Sequence, residues 1–337
     1  MNKKHIRILG LIMVLVLSIG ILAGCGEEEI TLHLSVGDRT GEYSGDMKDG
    51  IPDGEGIFTS KNKEGEEWTY EGEFKNGHFE GKGTTTWDDG TRETGTYKKD
   101  ELQPIKGKAL NKVYGNPDGY KDHCVEVTGK VFGEPDYDDG IMAIQIWADP
   151  EKNEKNTMVY ISDEDFEVED EDYVRIKGIV EGTFEGENMM GGDIEALSIN
   201  ASEYEVISYA EAVAPTTRTV KVNATIKQYG YSVTVQKVEF SDKDTRVYVK
   251  VDNNGTDKFS LFSFDSKLIQ DRKQYTEEDK WDNDYPEVCS ELAVGVSSEG
   301  IIAFPKIEEK DFKLIFEAYS ENWEEEIDEY TFDINVR

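Results

Sequence analysis

The first candidates for covalent or acid–base chemistry in this 337-residue chain are its four histidines, three cysteines and 72 carboxylates. His33, His78 and His123 stand far apart, and none belongs to an H-x-x-x-H or H-E-x-x-H pair that would set two imidazoles around a zinc ion. No G-x-S-x-G elbow, phosphate-cradling P-loop or dinucleotide fingerprint occurs. Any two of so many carboxylates can be matched as general acid and base, so such a pairing carries no information by itself. Cys25 differs in kind. It ends the stretch Leu22-Ala23-Gly24-Cys25, behind an apolar run over residues 8–22 and a start bearing Lys3, Lys4 and Arg7. This is the layout of an export signal. The apolar run is too short, and too closely followed by acidic residues, for a settled transmembrane helix of about 20 residues.

Leu22-Ala23-Gly24-Cys25 resembles the lipobox of bacterial lipoproteins, with Cys25 at the defining cysteine. The resemblance implies a diacylglycerol attached to the Cys25 thiol, cleavage before it, and a mature chain on the outer face of the cytoplasmic membrane or in a periplasm. Small residues at Ala23 and Gly24 suit a backbone that must enter a narrow peptidase site. Two acyl chains hold a protein stably at a bilayer, whereas one is marginal. Residues 25–29 are then a lipidated tether, and the four residues after Cys25 reach at most about 14 Å. The first domain is expected close to the headgroups.

Charge narrows the partners. Loss of residues 1–24 removes three of 37 basic residues and no acidic one, leaving 34 against 72, a net charge of −38. Residues 26–107 hold 10 basic and 20 acidic residues, 108–208 hold 8 and 25, and 216–337 hold 16 and 26. Such a field repels nucleic acid, whose binding rests on phosphate neutralisation. It also repels anionic headgroups, so the body is expected to stand off the membrane. With Cys25 acylated, only Cys124 and Cys289 remain. No C-x-x-C occurs, and two thiols are expected in preference to a Cys124–Cys289 bridge.

Stepping along the chain, an internal repeat appears first. Tyr43, Gly45, Met47, Gly50, Gly54 and Gly56 recur 27 residues on as Tyr70, Gly72, Phe74, Gly77, Gly81 and Gly83. A third, degraded copy at an offset of 23 keeps Gly95 and Tyr97 but has Glu93 for the tyrosine and Asp100 for Gly77. Tyr43, Gly45 and Met47 fall on one face of a strand, and a glycine there leaves room for a neighbouring ring or backbone. Trp87-Asp88-Asp89-Gly90-Thr91 reads as an Asp-Gly hairpin. Each copy is therefore a β-hairpin, and repeats of this period stack.

The pattern resembles the MORN repeat, a hairpin module named for membrane occupation and recognition. The first copy departs from it with Met47 at an aromatic position. The resemblance implies a repeat face, Tyr43, Met47, Tyr70, Phe74, Trp87 and Tyr97, able to meet a lipid or protein partner. The array is expected over residues 30–107.

Residues 98–123, with Pro104, Pro117 and Asn116-Pro117-Asp118-Gly119, read as a connection holding a short helix over 106–114. Strands follow at 125–132, 141–147, 157–162, 173–181 and 194–199, with Gly129 and Gly178 inside two of them, as a small closed barrel would have. Val125-Glu126-Val127-Thr128-Gly129-Lys130-Val131, Val174-Arg175-Ile176-Lys177-Gly178 and the late Gly191-Gly192-Asp193-Ile194 turn make 108–208 similar to the OB-fold domains of bacterial lipoproteins. Nucleic-acid binding is disfavoured by this segment's charge. Asp136-Tyr137-Asp138-Asp139-Gly140 falls one residue short of a D-x-D-x-D-G calcium loop. Residues 163–172 carry eight carboxylates in ten positions. Solvated turns are the plainer reading of both; weak calcium binding is the alternative.

Residues 209–217 read as a linker. Alternation at 231–240 and 245–251, with further strands to residue 336, gives sandwich spacing over 218–337. The runs at 233–241 and 247–254, with Ser297-Ser298-Glu299-Gly300, resemble the immunoglobulin-like domain that ends many Gram-positive lipoproteins. Tyr248, Phe259, Phe262 and Phe264 are expected in core and interface.

The whole reads as a mainly β chain: signal peptide 1–24, hairpin array, OB-like barrel, immunoglobulin-like sandwich. The expected role is a non-catalytic binding or scaffold protein of the cell envelope, with no cofactor and no metal. Its expected partners are the membrane, through the anchor, and another envelope protein or wall polymer. The alternatives are an envelope hydrolase with carboxylates in a β-domain groove and a calcium-dependent binding module.

Overall fold

The computed structural model describes residues 28–163, 165–187, 192–278 and 283–337. Cys25 and the motif residues Leu22, Ala23 and Gly24 lie outside them. The chain divides into two compact units, residues 1–103 and 104–337.

The first unit is a seven-stranded antiparallel meander: β1 Glu28–Leu34, β2 Gly37–Lys48, β3 Ile51–Lys61, β4 Glu67–Lys75, β5 His78–Trp87, β6 Arg92–Lys98 and β7 Glu101–Gln103, each paired with the next. A row of glycines crosses it in register, Gly45 to Gly56 to Gly72 to Gly83 to Gly95. The row exists because tyrosine rings lie on it. A Cβ on Gly56 would sit 2.5 Å from the Tyr43 hydroxyl oxygen, and one on Gly83 would sit 2.4 Å from that of Tyr70. Each hydroxyl donates to a backbone carbonyl just beyond, Tyr43 to Asp46 at 2.7 Å and Tyr70 to Glu73 at 3.0 Å. In the third copy Leu102 covers Gly95 instead.

Neighbouring hairpins are joined by a second repeated device. The β4–β5 turn at Asn76-Gly77 and the β6–β7 turn at Lys99-Asp100 have positive φ at both central residues, as type I′ turns require. Asn76 N donates to Asp53 and Gly77 N to the Pro52 carbonyl; one unit on, Lys99 N donates to Glu80 and Asp100 N to the Phe79 carbonyl. The degraded third copy thus keeps its connection to the second.

The second unit opens with α1 Leu110–Tyr114, within the stretch expected to hold a short helix. It continues with β8 Cys124–Val131, β9 Asp136–Asp138, β10 Ile141–Asp149, β11 Glu154–Ile161, β12 Tyr173–Glu187 and β13 Asp193–Ile207. Five of these strands close on themselves in the order β8-β10-β11-β13-β12, with β11 and β13 parallel and every other pair antiparallel. Their alternate residues, among them Val127, Ile144, Ile146, Val159, Ile176 and Ile199, fill the barrel together with Leu110 and Val113 of α1. Gly178 lets strands approach, since a Cβ there would lie 2.2 Å from the Asn200 carbonyl oxygen.

Residues 209–217 are not a loose linker. Ser208 and Glu211 form a capping box that starts α2 Tyr209–Val213, and Ala210, Val213 and Ala214 are buried. The chain then enters β14 Thr216–Gln228, an edge strand, followed by β15 Tyr231–Ser241, β16 Asp244–Asn253, β17 Phe259–Leu261, β18 Lys267–Gln270, β19 Lys273–Thr276, β20 Glu291–Leu292, β21 Ser297–Pro305, β22 Phe312–Phe316, β23 Ala318–Ser320 and β24 Tyr330–Ile334. The sheet β14-β15-β16-β21 shares one core with the sheet β19-β18-β22-β24 and the small sheet β20-β17-β23. Tyr248 is half-buried, Phe259 is buried in the core, and Phe264 is exposed. Cys124 is buried and Cys289 exposed, and no disulfide joins the two.

Candidate functional site

The rings expected to form a partner-binding face on the array serve its own core. Tyr43, Tyr70, Phe74 and Tyr97 are buried, and Met47 and Trp87 are half-buried against them. Tyr70 stacks on Phe79 at 3.8 Å between centroids and meets Phe74 and Tyr97 edge-on. A single-layer meander has no second sheet to cover its apolar side, so it must curl over its own rings. Asp100 closes the curl, its carboxylate accepting from Ser35 N, Phe79 N and His78 Nδ1 at 2.8–2.9 Å. His78 is thereby part of a structural contact.

In the second unit the barrel and sandwich meet around α2, and the junction holds a cleft. It has two lobes of about 300 and 440 Å³ that share Glu151, Tyr209 and Asn283. Tyr209 stands between Tyr173 of the barrel and Tyr285 of the sandwich, edge-on to both at 5.4 and 4.9 Å. Burial first, and the carboxylates around it second, raise the Tyr209 phenol to about 12. The β10–β11 turn contributes Pro150, Glu151 and Asn153, and β8 contributes Lys130.

Charges in the cleft are paired across the junction. Lys130 bonds Asp284 at 3.2 Å and Glu171 at 2.5 Å, and Lys243 pairs with Glu151. The Tyr173 hydroxyl donates to the same Asp284 oxygen, Oδ2, that Lys130 reaches. That bond, with Lys130 beside it, holds the Asp284 carboxyl below its ordinary value despite partial burial. The Tyr285 hydroxyl donates to Asp244, and burial with that bond raises its phenol far above the usual range.

Behind these residues lies Arg246, fully buried. It donates to the Ala214 carbonyl at 2.8 Å and to Thr216 Oγ1 at 2.7 Å, and it faces Glu239 at 3.5 Å and Asp244 at 3.8 Å. Its Nε makes no hydrogen bond. Burial opposes the Glu239 charge, but hydrogen bonds from Lys237, Tyr248 and Thr216 outweigh it and keep the carboxyl below its ordinary value. The guanidinium thus ties the end of α2 to the first strands of the sandwich.

The acidic runs take local roles. Asp139-Gly140 is the positive-φ turn between β9 and β10. Asp163 accepts from Tyr204 and from Asp165 N, Asp170 from Gly133 N, and Asp172 from Glu169 N. Among the described residues no group of three or more His, Cys, Asp or Glu side chains is placed to hold a metal ion. Nor, among them, is any helix long and apolar enough to cross a membrane.

Sequence reasoning missed the cleft. Tyr209 fell in an apparent linker, although Ser208-x-x-Glu211 carries the capping-box signature that announces a helix start.

Comparison with protein families finds the MORN repeat at residues 43–64 and 70–92, so the hairpin array carries two MORN repeats, as the spacing led us to expect. Comparison with curated proteins and with solved structures found no match.

Proposed function

We propose that the chain is a lipid-anchored binding or scaffold protein of a bacterial cell envelope, held at the outer face of the cytoplasmic membrane through Cys25 and acting without catalysis. The motif at Leu22-Ala23-Gly24-Cys25 supports the anchor. The ring order of the barrel, with its single parallel pair, supports an OB-type module. Two four-stranded sheets that share one core with a small third sheet support an immunoglobulin-type module.

The observation that carries the binding role is the junction cleft. It lies between two modules, has aromatic walls and paired charges, and is large enough for a small ligand or a side-chain cluster. The MORN repeats support membrane or partner association in general terms, but their rings are spent on their own core. Recognition is therefore assigned to the second unit.

Two experiments test this. Fractionation of cells carrying the chain or its Cys25→Ser variant should move the protein from membrane to soluble fractions; retention in the membrane by the variant would sink the anchor. Crosslinking and pulldown from intact cells should recover a partner with the chain lacking residues 30–103 and lose it with Tyr209→Ala. The reverse pattern would return recognition to the array.

A further inference from the structure

From the cleft a surface continues outward over the barrel. Trp147 of β10 is in register with Lys130 of β8, and Lys130 with Tyr173 of β12, so the three form one cross-strand row. Two inter-strand steps make this row about 10 Å long. Lys130 lies along the Tyr173 ring with its Nζ 5.5 Å from the centroid. At the far end Phe132 stacks on Trp147, centroids 4.1 Å apart and planes within 10°. Both rings are half-buried, so each still offers apolar surface to solvent.

The surroundings of this row are unusual for so acidic a chain. On one side of Trp147 the outward positions of β10 and β11, Ala143, Gln145, Met158 and Tyr160, with Asn156 opposite the ring, carry no charge, whereas the next pair on its other side, Asp149 and Glu154, is acidic. Gln145 donates to Asn156 at 2.8 Å, which leaves an amide oxygen on one and an amide N–H on the other for a ligand. At the cleft end, Asn153 has no side-chain hydrogen bond among the described residues, and both bonds to Asp284 fall on Oδ2 and leave Oδ1 open.

We propose that this surface is a groove for an uncharged glycan chain, running from the Phe132–Trp147 stack over Lys130 and Tyr173 into the cleft beside Tyr209. The apolar C–H faces of pyranose rings suit the aromatic ends, and their hydroxyls suit planar amides and half-used carboxylates. Charge selects the class. An anionic polymer would meet Glu151, Asp244, Glu278 and Asp284, and a cationic one would have to displace Lys130 and Lys243 from partners they already hold. The length of the row favours a chain over a single sugar. The inference rests on the binding role proposed above and names its ligand.

The test is isothermal titration of the full chain in detergent with chitotetraose, cellotetraose and maltotetraose, with polygalacturonate and chitosan as charged controls. At least one neutral tetrasaccharide should bind saturably, and Trp147→Ala and Tyr209→Ala should each weaken it about tenfold or more. Asn153→Gly, an exposed change at φ 52° where glycine sits without strain, should weaken it several-fold. No binding of the three neutral sugars at millimolar concentration, binding only of a charged control, or binding indifferent to all three variants overturns the proposal. A crosslinked protein partner that persists while the sugars fail to bind would overturn the glycan groove and leave the binding role standing. Loss of both would overturn the two together.

Discussion

The Tyr70 hydroxyl oxygen lies 2.4 Å from where a Cβ on Gly83 would be, so the strand glycine and the ring occupy one space. The same holds for Tyr43 over Gly56 in the preceding hairpin. Gly83→Ala therefore forces the Tyr70 ring off its stack with Phe79 and should cost about 2–3 kcal/mol. Gly115→Ala is the control, with φ at −77° and its nearest atom an ordinary 3.4 Å away; it should change stability little. Urea unfolding of both variants checks the pair, and equal effects would mean the ring is not held by the glycine row.

Asp100 stands where the preceding hairpin has Gly77, at φ 74°. Its buried carboxylate accepts from Ser35 N, Phe79 N and His78. Asp100→Ala loses these charge-assisted bonds, leaves two amides without partners, and adds left-handed strain of roughly 1–2 kcal/mol. Asp100→Gly loses the same bonds without that strain. Thermal melting should rank wild type above Gly above Ala; an Ala variant as stable as the Gly variant would refute the backbone part of the argument.

How much of this could be read in advance depends on whether the signal was local. The hairpin array was legible, because a tyrosine that needs a glycine on the next strand imposes a fixed spacing on the chain. The barrel strands were legible from alternation, as at Val125, Val127 and Val131. The Ser208–Glu211 capping box was present too, but the Ala- and Pro-bearing sequence around it reads equally as a linker. Strand β14 was missed because it is a half-exposed edge whose polar residues mask the alternation of Val220, Val222, Ala224 and Ile226. Spacing shows that Tyr43, Tyr70 and Phe74 share a face, but only the curl of the sheet decides that these rings are buried. The cleft depends on Tyr173, Tyr209 and Tyr285 converging from three distant segments, and no periodicity reports that.

Arg246 is the most consequential buried charge. Its loss would leave Glu239 and Asp244 facing an apolar side chain of similar length, so Arg246→Met should destabilise the second unit by about 3–5 kcal/mol. Replacing Glu239 by Gln at the same time should recover part of that loss. A single variant with an unchanged urea midpoint would show that the guanidinium contributes nothing net.

Acid should weaken the same region. The carboxyls of Asp284 and Glu239 are both held below their ordinary values of 3.8 and 4.5 in the folded chain. A depressed folded value means stability that is fully present above the unfolded value and lost as pH falls through the folded one. The second unit should therefore be indifferent to pH from neutrality down to about 5 and lose stability below about 4. Urea midpoints across that range, compared with those of an Asp284→Asn variant, check the assignment: the variant should show the shallower acid loss, and identical slopes would remove Asp284 from it.

The junction itself should be held by rings more than by ions. Lys243 and Glu151 are each about half exposed, and such pairs contribute only about 0.2–1 kcal/mol, so Lys243→Ala should lower stability within that range and lose its effect in high salt. Tyr209→Ala removes the ring between Tyr173 and Tyr285, with edge contacts to both, and should cost about 3 kcal/mol irrespective of salt. If urea unfolding at low and high salt instead gave the lysine variant the larger loss, the two modules would be coupled electrostatically, and a ligand in the cleft would act on their charges and not on their packing.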